Sequence, residues 1–375
     1  MADMKHLNNS IPFFGVSREF AQHRAEFMNT IESVLATGQV LQGTPITELE
    51  NIIANITNRS HAVAVNSCTD ALYFSLLASN IKPGDEVLVP NFTFAASATC
   101  ILRLGAKPIL VDIDENFALD LNQAQSLINP KTKAIIFVHL YGQMHDPNTI
   151  ESFSKQNNLV LVEDAAQSLG AKYKNRIAGS MGLTSCISFD PTKTISAPGS
   201  GGILTTDDSK IDSLVRSFRY HGKDVGSKTF NRLGYNSQMT TIAAALISQK
   251  LNYLKKWENR RIDIAKIYKE NLINLSQITL PKYIKESQNI YHKFVLEVEQ
   301  RDNLFNHLKN SKIGSAIHYD TPLHREPIFD FLNLDDEKFP MSLNKSKKVI
   351  SLPIHPFLTD SEIEIIIQTI KLFYK

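Results

Sequence analysis

The sequence contains little cysteine and tryptophan, and it has no long apolar run. Its 375 residues include three cysteines, Cys68, Cys100 and Cys186, and a single tryptophan. Three scattered cysteines do not fit a disulfide framework or a metal-binding spacing, so we expect a reducing, cytoplasmic environment. No stretch of about 18 apolar residues occurs, and residues 1–10 lack an apolar signal core. We therefore expect no membrane span and no secretory signal.

The chain also lacks a strong excess of either charge. It has 40 basic and 38 acidic residues, for a net charge of +2, which gives no reason to expect nucleic acid or an anionic membrane as a partner. Internal repeats and low-complexity linkers are absent too. With 43% hydrophobic residues, the sequence predicts a globular protein with a large domain, residues 1–250, and a small C-terminal domain, residues 251–375.

Short apolar runs alternate with amphipathic stretches over the first two thirds of the chain. The predicted strands of this region are 62–65, 87–90, 107–112, 134–138, 159–162 and 186–189. Strands separated by helical stretches predict a parallel sheet covered by helices. One long helix is predicted from residue 242 to about 271. The predicted elements after it are strands near 291–298 and 314–319 and helices near 301–310 and 360–373.

Two residues that follow predicted strands could act on one ligand. Asp164 comes after the run 159–162, and Lys193 comes after the run 186–189. Open parallel sheets bind ligands at the carboxyl ends of their strands. An amine and a carboxylate there could hold pyridoxal phosphate (PLP), the amine as a Schiff base and the carboxylate keeping the ring nitrogen protonated. Taken alone, such residues are more often a helix cap and a solvated surface amine.

A turn after the first predicted strand could bind the cofactor's phosphate. Residues 66–72 (NSCTDAL) leave the strand and begin a helix. Free N–H groups and the helix dipole favour a phosphate at such a position. Ordinary capping by Ser67 or Thr69 is about as good an explanation of this segment.

Two blocks around the predicted site resemble a known family. The blocks EDAAQS (163–168) and SFDPTK (188–193) resemble the DegT-type sugar-nucleotide aminotransferases, which are fold-type-I PLP enzymes, and the resemblance extends over nearly the whole chain. It implies an α/β fold with a mostly parallel seven-stranded sheet and a small C-terminal α+β domain. It also implies that Lys193 and Asp164 are catalytic. A related class with histidine in place of the lysine performs dehydration, so Lys193 favours transamination.

The resemblance also implies which residues contact the cofactor. They are Cys68, Thr69, Phe94, Asp164, Gln167, Ser188, Lys193 and Asn236. Phe94 would stack on the ring, Gln167 would lie near the ring hydroxyl, and Ser188 would donate to the phosphate. Asn236 would reach the phosphate of a neighbouring subunit, which implies a homodimer with shared active sites. A phenylalanine in the core or an asparagine in a turn would be the ordinary alternatives.

The C-terminal part resembles the subset that aminates C3 of nucleotide sugars. This resemblance is carried by His318, Tyr319 and the block SLPIHPF (351–357), and it implies that His318 and Tyr319 bind substrate. Gln238 stands in the substrate region where most relatives have arginine, and a neutral amide cannot supply that charge to a carboxylate. Asp320 likewise replaces the proline usual in the subset.

The implied reaction transfers an amino group from L-glutamate to a nucleotide-linked keto sugar. We expect a UDP-linked 2-acetamido-3-keto sugar, used for cell-surface polysaccharide such as O-antigen. The alternative is C4 amination of a UDP- or dTDP-linked 4-keto-6-deoxy sugar. A PLP-dependent sugar dehydratase and a regulator without turnover are less favoured, since the lysine, the aspartate and the phosphate turn are all present.

Overall fold

The computed structural model describes residues 10–282 and 284–375, so the expectation for residues 1–9 lies outside the described residues. The helices are α1 (Val16–Ala36), α2 (Thr44–Thr57), α3 (Cys68–Ala78), α4 (Ala96–Arg103), α5 (Leu121–Leu127), α6 (Pro147–Gln156), α7 (Ser209–Arg219), α8 (Thr241–Leu251), α9 (Leu254–Leu272), α10 (Arg301–Asn310), α11 (Pro340–Ser346) and α12 (Asp360–Phe373). The strands are β1 (His61–Val65), β2 (Glu86–Pro90), β3 (Lys107–Val111), β4 (Thr132–Val138), β5 (Val160–Asp164), β6 (Lys172–Tyr173), β7 (Arg176–Ile177), β8 (Thr184–Ser188), β9 (Gly202–Thr206), β10 (Ile278–Thr279), β11 (Ser287–Gln288), β12 (Phe294–Val298) and β13 (Val349–Leu352).

The centre of the fold is a seven-stranded sheet in the order β1-β9-β8-β5-β4-β2-β3. The pairs β8–β5, β5–β4, β4–β2 and β2–β3 are parallel, whereas β9 runs antiparallel to both of its neighbours. Two small antiparallel sheets, β10-β12-β13 and β11-β6-β7, lie apart from it. The predicted α/β fold with a mostly parallel sheet is therefore confirmed.

Each strand of the central sheet supplies side chains to two cores. Val63 and Val65 of β1 pack into one core, and Ala62 and Ala64 pack into the other, because successive strand residues point to opposite faces. Helices α3 and α7 pack on the first face, and α2 and α8 pack on the second. Because helices cover both faces of the sheet, both sides of each central strand are apolar, and the strands are unbroken apolar runs in the sequence.

The three cysteines all belong to the core that contains Val63. They are buried free thiols, and burial raises the pKa of each of them above its ordinary value. Cys186 contacts the Ser75 hydroxyl at 3.2 Å.

The C-terminal part has a core of its own. Phe294, Leu296 and Ile350 of β12 and β13 pack with residues of α9, α10 and α12. Helix α12 begins with a capping box in which Thr359 and Glu362 satisfy each other's backbone N–H groups. The predicted division after residue 250 falls beside the break between α8 and α9, and the two-domain assignment stays a prediction.

Two sequence-based predictions about this part are wrong. The helix predicted to run unbroken from residue 242 ends at Leu251 and restarts at Leu254, because Asn252 and Tyr253 bond to carbonyls three residues back. The strand predicted near 314–319 is reduced to one bridge between Ala316 and Ser351. The chain then leaves the sheet edge in a turn that carries His318 towards the large sheet.

The first described residues form an arm against the C-terminal part. Ile11 N donates to Lys312 O at 2.9 Å, and Gly314 N donates to Ile11 O at 2.8 Å. This places Phe14 on the wall of the cavity described below. None of the helices in the described residues is both long and apolar enough to cross a bilayer.

Candidate active site

A cavity of about 400 Å³ lies at the carboxyl ends of the parallel strands. Strand β5 ends at Asp164 and β8 ends at Ser188, so both side chains reach this edge of the sheet. Nine of the residues implicated by the sequence line the cavity together: Cys68, Thr69, Phe94, Asp164, Gln167, Ser188, Lys193, His318 and Tyr319. The folded chain thus brings together segments more than 200 residues apart in sequence.

Asp164 is a buried carboxylate without a basic ion-pair partner among the described residues. The Ser97 hydroxyl donates to its Oδ2 at 2.7 Å, and Ala166 N donates to its Oδ1 at 3.1 Å. Burial raises the pKa of Asp164 above its ordinary value, although both hydrogen bonds and the charge of Lys193 oppose the shift. A protonated ring nitrogen would supply the missing positive charge, so this carboxylate fits PLP.

Lys193 lies on a turn that is held by the aspartate before it. Lys193 N donates to Asp190 O at 2.9 Å, while Thr192 N and Thr192 Oγ1 donate to Asp190 Oδ1 at 3.0 and 2.7 Å. Burial lowers the pKa of Lys193, and the nearby Asp164 only partly opposes this shift. A lysine with a lowered pKa is more readily deprotonated and hence nucleophilic.

The turn after β1, which we predicted to bind the cofactor's phosphate, leads directly into α3. Ser67 caps the helix by accepting from Asp70 N at 3.1 Å. The N–H groups of Cys68 and Thr69 belong to the first turn, where the helix itself supplies no acceptor, so they can donate to a ligand. Gly202, at the start of β9, lies against this turn. A Cβ on Gly202 would come within 2.3 Å of the Ser67 carbonyl carbon, so only glycine fits between the turn and β9.

Phe94 and Gln167 occupy two sides of the cavity. The Phe94 side chain is 61% exposed, which is unusual for a phenylalanine and leaves its face available to a ligand. Gln167 Oε1 accepts from Tyr141 N at 2.9 Å, and Gln167 Nε2 donates to the Tyr319 hydroxyl at 3.3 Å. Gln167 therefore connects the large sheet to the turn that carries His318 and Tyr319.

His318 and Tyr319 reach the cavity from the C-terminal part. The Tyr141 hydroxyl donates to His318 O, and His318 Nδ1 lies 2.8 Å from the Ser351 hydroxyl. Burial lowers the pKa of His318 to about 3, so this imidazole is neutral at pH 7. A neutral imidazole can hydrogen-bond a sugar hydroxyl without bringing a positive charge into the cavity.

Asn236 and Gln238 lie outside this cavity. Asn236 is exposed, and Gln238 accepts from Gln42 Nε2 at 2.8 Å on a separate surface groove near Arg216 and Tyr220. Within one chain these two residues are not brought to Lys193. Their predicted contacts with cofactor and substrate would require a second subunit, and they stay predictions.

Several residues at the cavity were not predicted from the sequence. Ser97 holds Asp164, Asp190 shapes the Lys193 turn, and Phe14, His292 and Lys293 line the cavity wall. Asp190 lies inside the block SFDPTK, so its place one turn before Lys193 was a usable signal. The others follow no motif, and they reach the cavity only through long-range packing.

On the opposite face of β5 from Asp164, Glu163 is buried beside His139. His145 N donates to His139 Nδ1 at 3.3 Å, which leaves the proton on Nε2, and Nε2 lies 3.2 Å from Glu163 Oε1. Gly179 N and Met181 N also donate to this carboxylate, at 2.9 and 2.8 Å. Burial alone would raise the pKa of Glu163, but His139, the Ser185 hydroxyl and Gly179 N lower it below its ordinary value.

Replacing Glu163 by glutamine should destabilise the protein by about 3 kcal/mol at pH 7, since buried donors would lose an ionised acceptor. The folded-state pKa of Glu163 is lowered, so its contribution is present above the unfolded value of 4.5 and is lost as pH falls through the lower folded value. Urea unfolding of both proteins between pH 7 and pH 4 should show the difference shrinking towards acid.

The exposed Glu270, which lies 3.8 Å from Lys266, provides a matched control. Glu270→Gln should change stability by less than about 0.5 kcal/mol. A Glu163→Gln protein as stable as the wild type at pH 7 would show that the carboxylate charge is not needed there.

Comparison with known proteins places the whole chain in one family. The model of the DegT/DnrJ/EryC1/StrS aminotransferase family matches residues 21–371. A pleiotropic regulatory protein of Geobacillus stearothermophilus is 34% identical, with 98% of this chain and 99% of that protein aligned. A UDP-N-acetyl-3-dehydro-alpha-D-glucosamine 3-aminotransferase of Acidithiobacillus ferrooxidans is 33% identical, with 95% of this chain and 96% of that protein aligned.

A solved structure of the same family has nearly the same fold. The crystal structure of Streptomyces venezuelae DesV, in complex with a ketimine intermediate, superposes with a TM-score of 0.95 at 31% identity, covering 98% of this chain and 99% of that one. The aminotransferases of this family depend on PLP, so the predicted enzyme class and cofactor are confirmed. The chain belongs to the DegT/DnrJ/EryC1/StrS aminotransferase family of sugar-nucleotide aminotransferases.

Proposed function

We propose that this enzyme transfers an amino group from L-glutamate to the C3 keto group of a UDP-linked 2-acetamido sugar. The observation that carries the proposal is the single cavity in which Lys193, Asp164, the phosphate turn, His318 and Tyr319 meet. The relative from Acidithiobacillus ferrooxidans, named as a 3-aminotransferase for such a sugar, supports the choice of C3 and UDP. A role in cell-surface polysaccharide synthesis follows from the same proposal.

The residues that would hold PLP lie on different sides of the cavity. Lys193 would bind it covalently, Asp164 would pair with its ring nitrogen, and the turn at Cys68 and Thr69 would take its phosphate together with Ser188. The exposed face of Phe94 would cover the ring. When bound, the cofactor supplies an electron sink that stabilises negative charge on the substrate carbon.

Lys193 would also act as the acid and base of the reaction. Its Nζ has a lowered pKa because of burial, so a neutral amine is available near pH 7 to accept a proton from the substrate carbon and return it. Asp190 fixes the turn that carries this amine. His318 and Tyr319 would orient the sugar, since both are half-buried polar groups on the cavity wall that the C-terminal part contributes.

A product assay tests the proposed substrate. The purified enzyme would be given L-glutamate and a small panel of UDP- and dTDP-linked 3-keto and 4-keto sugars, and the aminated carbon would be assigned by NMR. We expect an amine at C3 of the UDP-linked 2-acetamido-3-keto sugar, together with 2-oxoglutarate. Amination only at C4, or loss of water without nitrogen transfer, would overturn the proposal.

The same proposal requires two chains for each active site. Asn236 and Gln238 lie outside the cavity of their own chain, and Gln238 is near an exposed loop that carries Val225, Phe230 and Leu233. The side chains of these three are 84%, 69% and 79% exposed, which favours cover by another subunit. A C2 dimer would bring Asn236 to the partner's cofactor phosphate.

Complementation between variants tests this arrangement. A mixture of Lys193→Ala and Asn236→Ala chains, unfolded and refolded together, should recover activity that neither variant has alone, because one site of each mixed dimer would be intact. Light scattering on the wild type gives the mass of the active species. A fully active monomer would contradict the shared site.

A further inference from the structure

The side-chain amine of Lys293 has no partner in the described part of the chain. Its side chain is only 6% exposed, and it takes part in no hydrogen bond or salt bridge within residues 10–282 and 284–375. Its Nζ lies 4.3 and 5.0 Å from the ring centroids of Phe14 and Phe13 in the N-terminal arm. The residue lines the same cavity as Lys193, His318 and Tyr319.

This environment disfavours the charged form of Lys293. Burial lowers its pKa well below the ordinary value, and the positive charges of Lys193 and Arg261 lower it further. The neighbouring His292 is also buried, and its Nδ1 has no hydrogen-bond partner in the described residues. Asp190 is the acidic group that opposes the shift, but it already accepts from Thr192.

The aromatic rings of the arm cannot satisfy this group. A cation above a ring is attracted by its face, but an ammonium has three N–H donors that a ring does not fully use. A buried ammonium without hydrogen-bonding partners carries a large desolvation cost, which an anion entering the cavity would offset. The position therefore fits an anionic group of a ligand.

The reaction places such a group beside Lys193. In the proposed function, Lys193 would exchange a proton with the α-carbon of the amino donor, and the donor's α-carboxylate is bonded to that carbon, so it would lie near the Lys193 amine. The diphosphate of a sugar nucleotide lies a whole sugar ring further away. Gln238 stands where most relatives have arginine. It is neutral, and it accepts a hydrogen bond from Gln42 outside the cavity.

We propose that Lys293 binds the α-carboxylate of the amino-acid donor and so supplies the charge that Gln238 lacks. The assignment rests on the proposed function, because it needs an amino acid as the first substrate. Lys293 is a specificity-determining residue in this scheme. It strengthens the binding of amino acids and does not strengthen the binding of amines that lack a carboxylate.

The test separates the two half-reactions of the holoenzyme. Bleaching of the lysine-bound cofactor band by L-glutamate and by L-alanine would be measured in single turnover for wild type, Lys293→Met and Lys293→Arg. Loss of one charge-assisted contact should raise the half-saturating concentration of both amino acids about 10–100-fold in Lys293→Met. Lys293→Arg should recover part of the loss, and the exposed Lys256→Met should match the wild type.

Three further measurements make the assignment specific. Lys293→Met should bind the keto-sugar nucleotide in the second half-reaction within about twofold of wild type, and it should react with a simple primary amine as the wild type does. A reduced affinity for the sugar nucleotide instead would assign Lys293 to the diphosphate. Reduced retention of PLP would assign it to the cofactor phosphate. Either result overturns the proposal.

Calorimetry gives a readout that does not depend on turnover. Binding of maleate, an unreactive dicarboxylate, should be accompanied by proton uptake in the wild type, because pairing with a carboxylate raises the pKa of Lys293. The uptake should be absent in Lys293→Met. Equal uptake in both proteins would overturn the proposal. If the wild type accepts no amino acid, the proposed function fails, while the maleate experiment still decides the role of Lys293.

Discussion

Lys193→Ala is expected to lower transamination by about 10⁴-fold or more, because the chain would lose both its covalent attachment point and its acid–base amine. The fold should survive, since the change removes a partly buried amine whose charged form is disfavoured by burial. Steady-state assays with added PLP would measure the loss. Borohydride treatment of the wild type, followed by peptide mapping, should find the reduced cofactor on Lys193.

A matched control is Lys210→Ala, since Lys210 is exposed near the start of α7 and far from the cavity lining. It should retain full activity and show the same melting temperature as the wild type. Turnover by Lys193→Ala above a few per cent of the wild-type rate, or a reduced cofactor found on another lysine, would rule out the assigned role.

Asp164→Asn should have opposite effects on activity and on the stability of the apoprotein. With PLP bound, the variant has no negative charge for the ring nitrogen, and we expect kcat to fall by about 10²–10³-fold, as for loss of one preorganised electrostatic contact. Without PLP, the ionised carboxylate is buried with a raised pKa, so its ionisation costs stability at pH 7. The amide removes that cost and keeps the shape.

The stability difference should depend on pH with a defined sign. A folded-state pKa above the unfolded value means that the contribution of Asp164 is favourable at low pH and is lost as pH rises through the folded value. Thermal melting of apoprotein should therefore give Asp164→Asn a transition equal to or above that of wild type at pH 7, with the gap closing towards acid. The exposed Asp302→Asn serves as the control. A variant with wild-type kcat would contradict the role of this carboxylate.

The fold and the centre of the site were predictable because they depend on local patterns. Unbroken apolar runs indicated strands buried on both faces, and their alternation with helices indicated a parallel sheet. Asp164 ends β5 and Lys193 lies in the turn after β8, and these two strands are neighbours in the sheet. Residues that end neighbouring parallel strands must meet at one edge, so their proximity follows once the strands are recognised.

The wall formed by the C-terminal part was not predictable in the same way. Residues 314–319 have the composition of a strand, but long-range contacts of His318 with Tyr141 and Ser351 hold the segment in a turn. Lys293 falls within the strand predicted near 291–298 but precedes the observed β12, and nothing local indicates that its side chain is buried without a partner. Such features arise from packing between distant segments, which periodicity does not report.

The cysteine distribution provides a natural probe of how the molecule opens. Cys68, Cys100 and Cys186 are all enclosed by one face of the large sheet, whereas residues 251–375 contain no thiol. Cys68 also lines the active-site cavity, so its labelling reports access to that cavity. Alkylating agents react with the thiolate, so modification of Cys100 and Cys186 in the native protein requires exposure of the interior. Labelling rates of the two core cysteines, followed over increasing urea, would time the opening of this face of the sheet. Trp257 packs into the core on the other face, so comparison with its fluorescence would reveal whether the two faces open together.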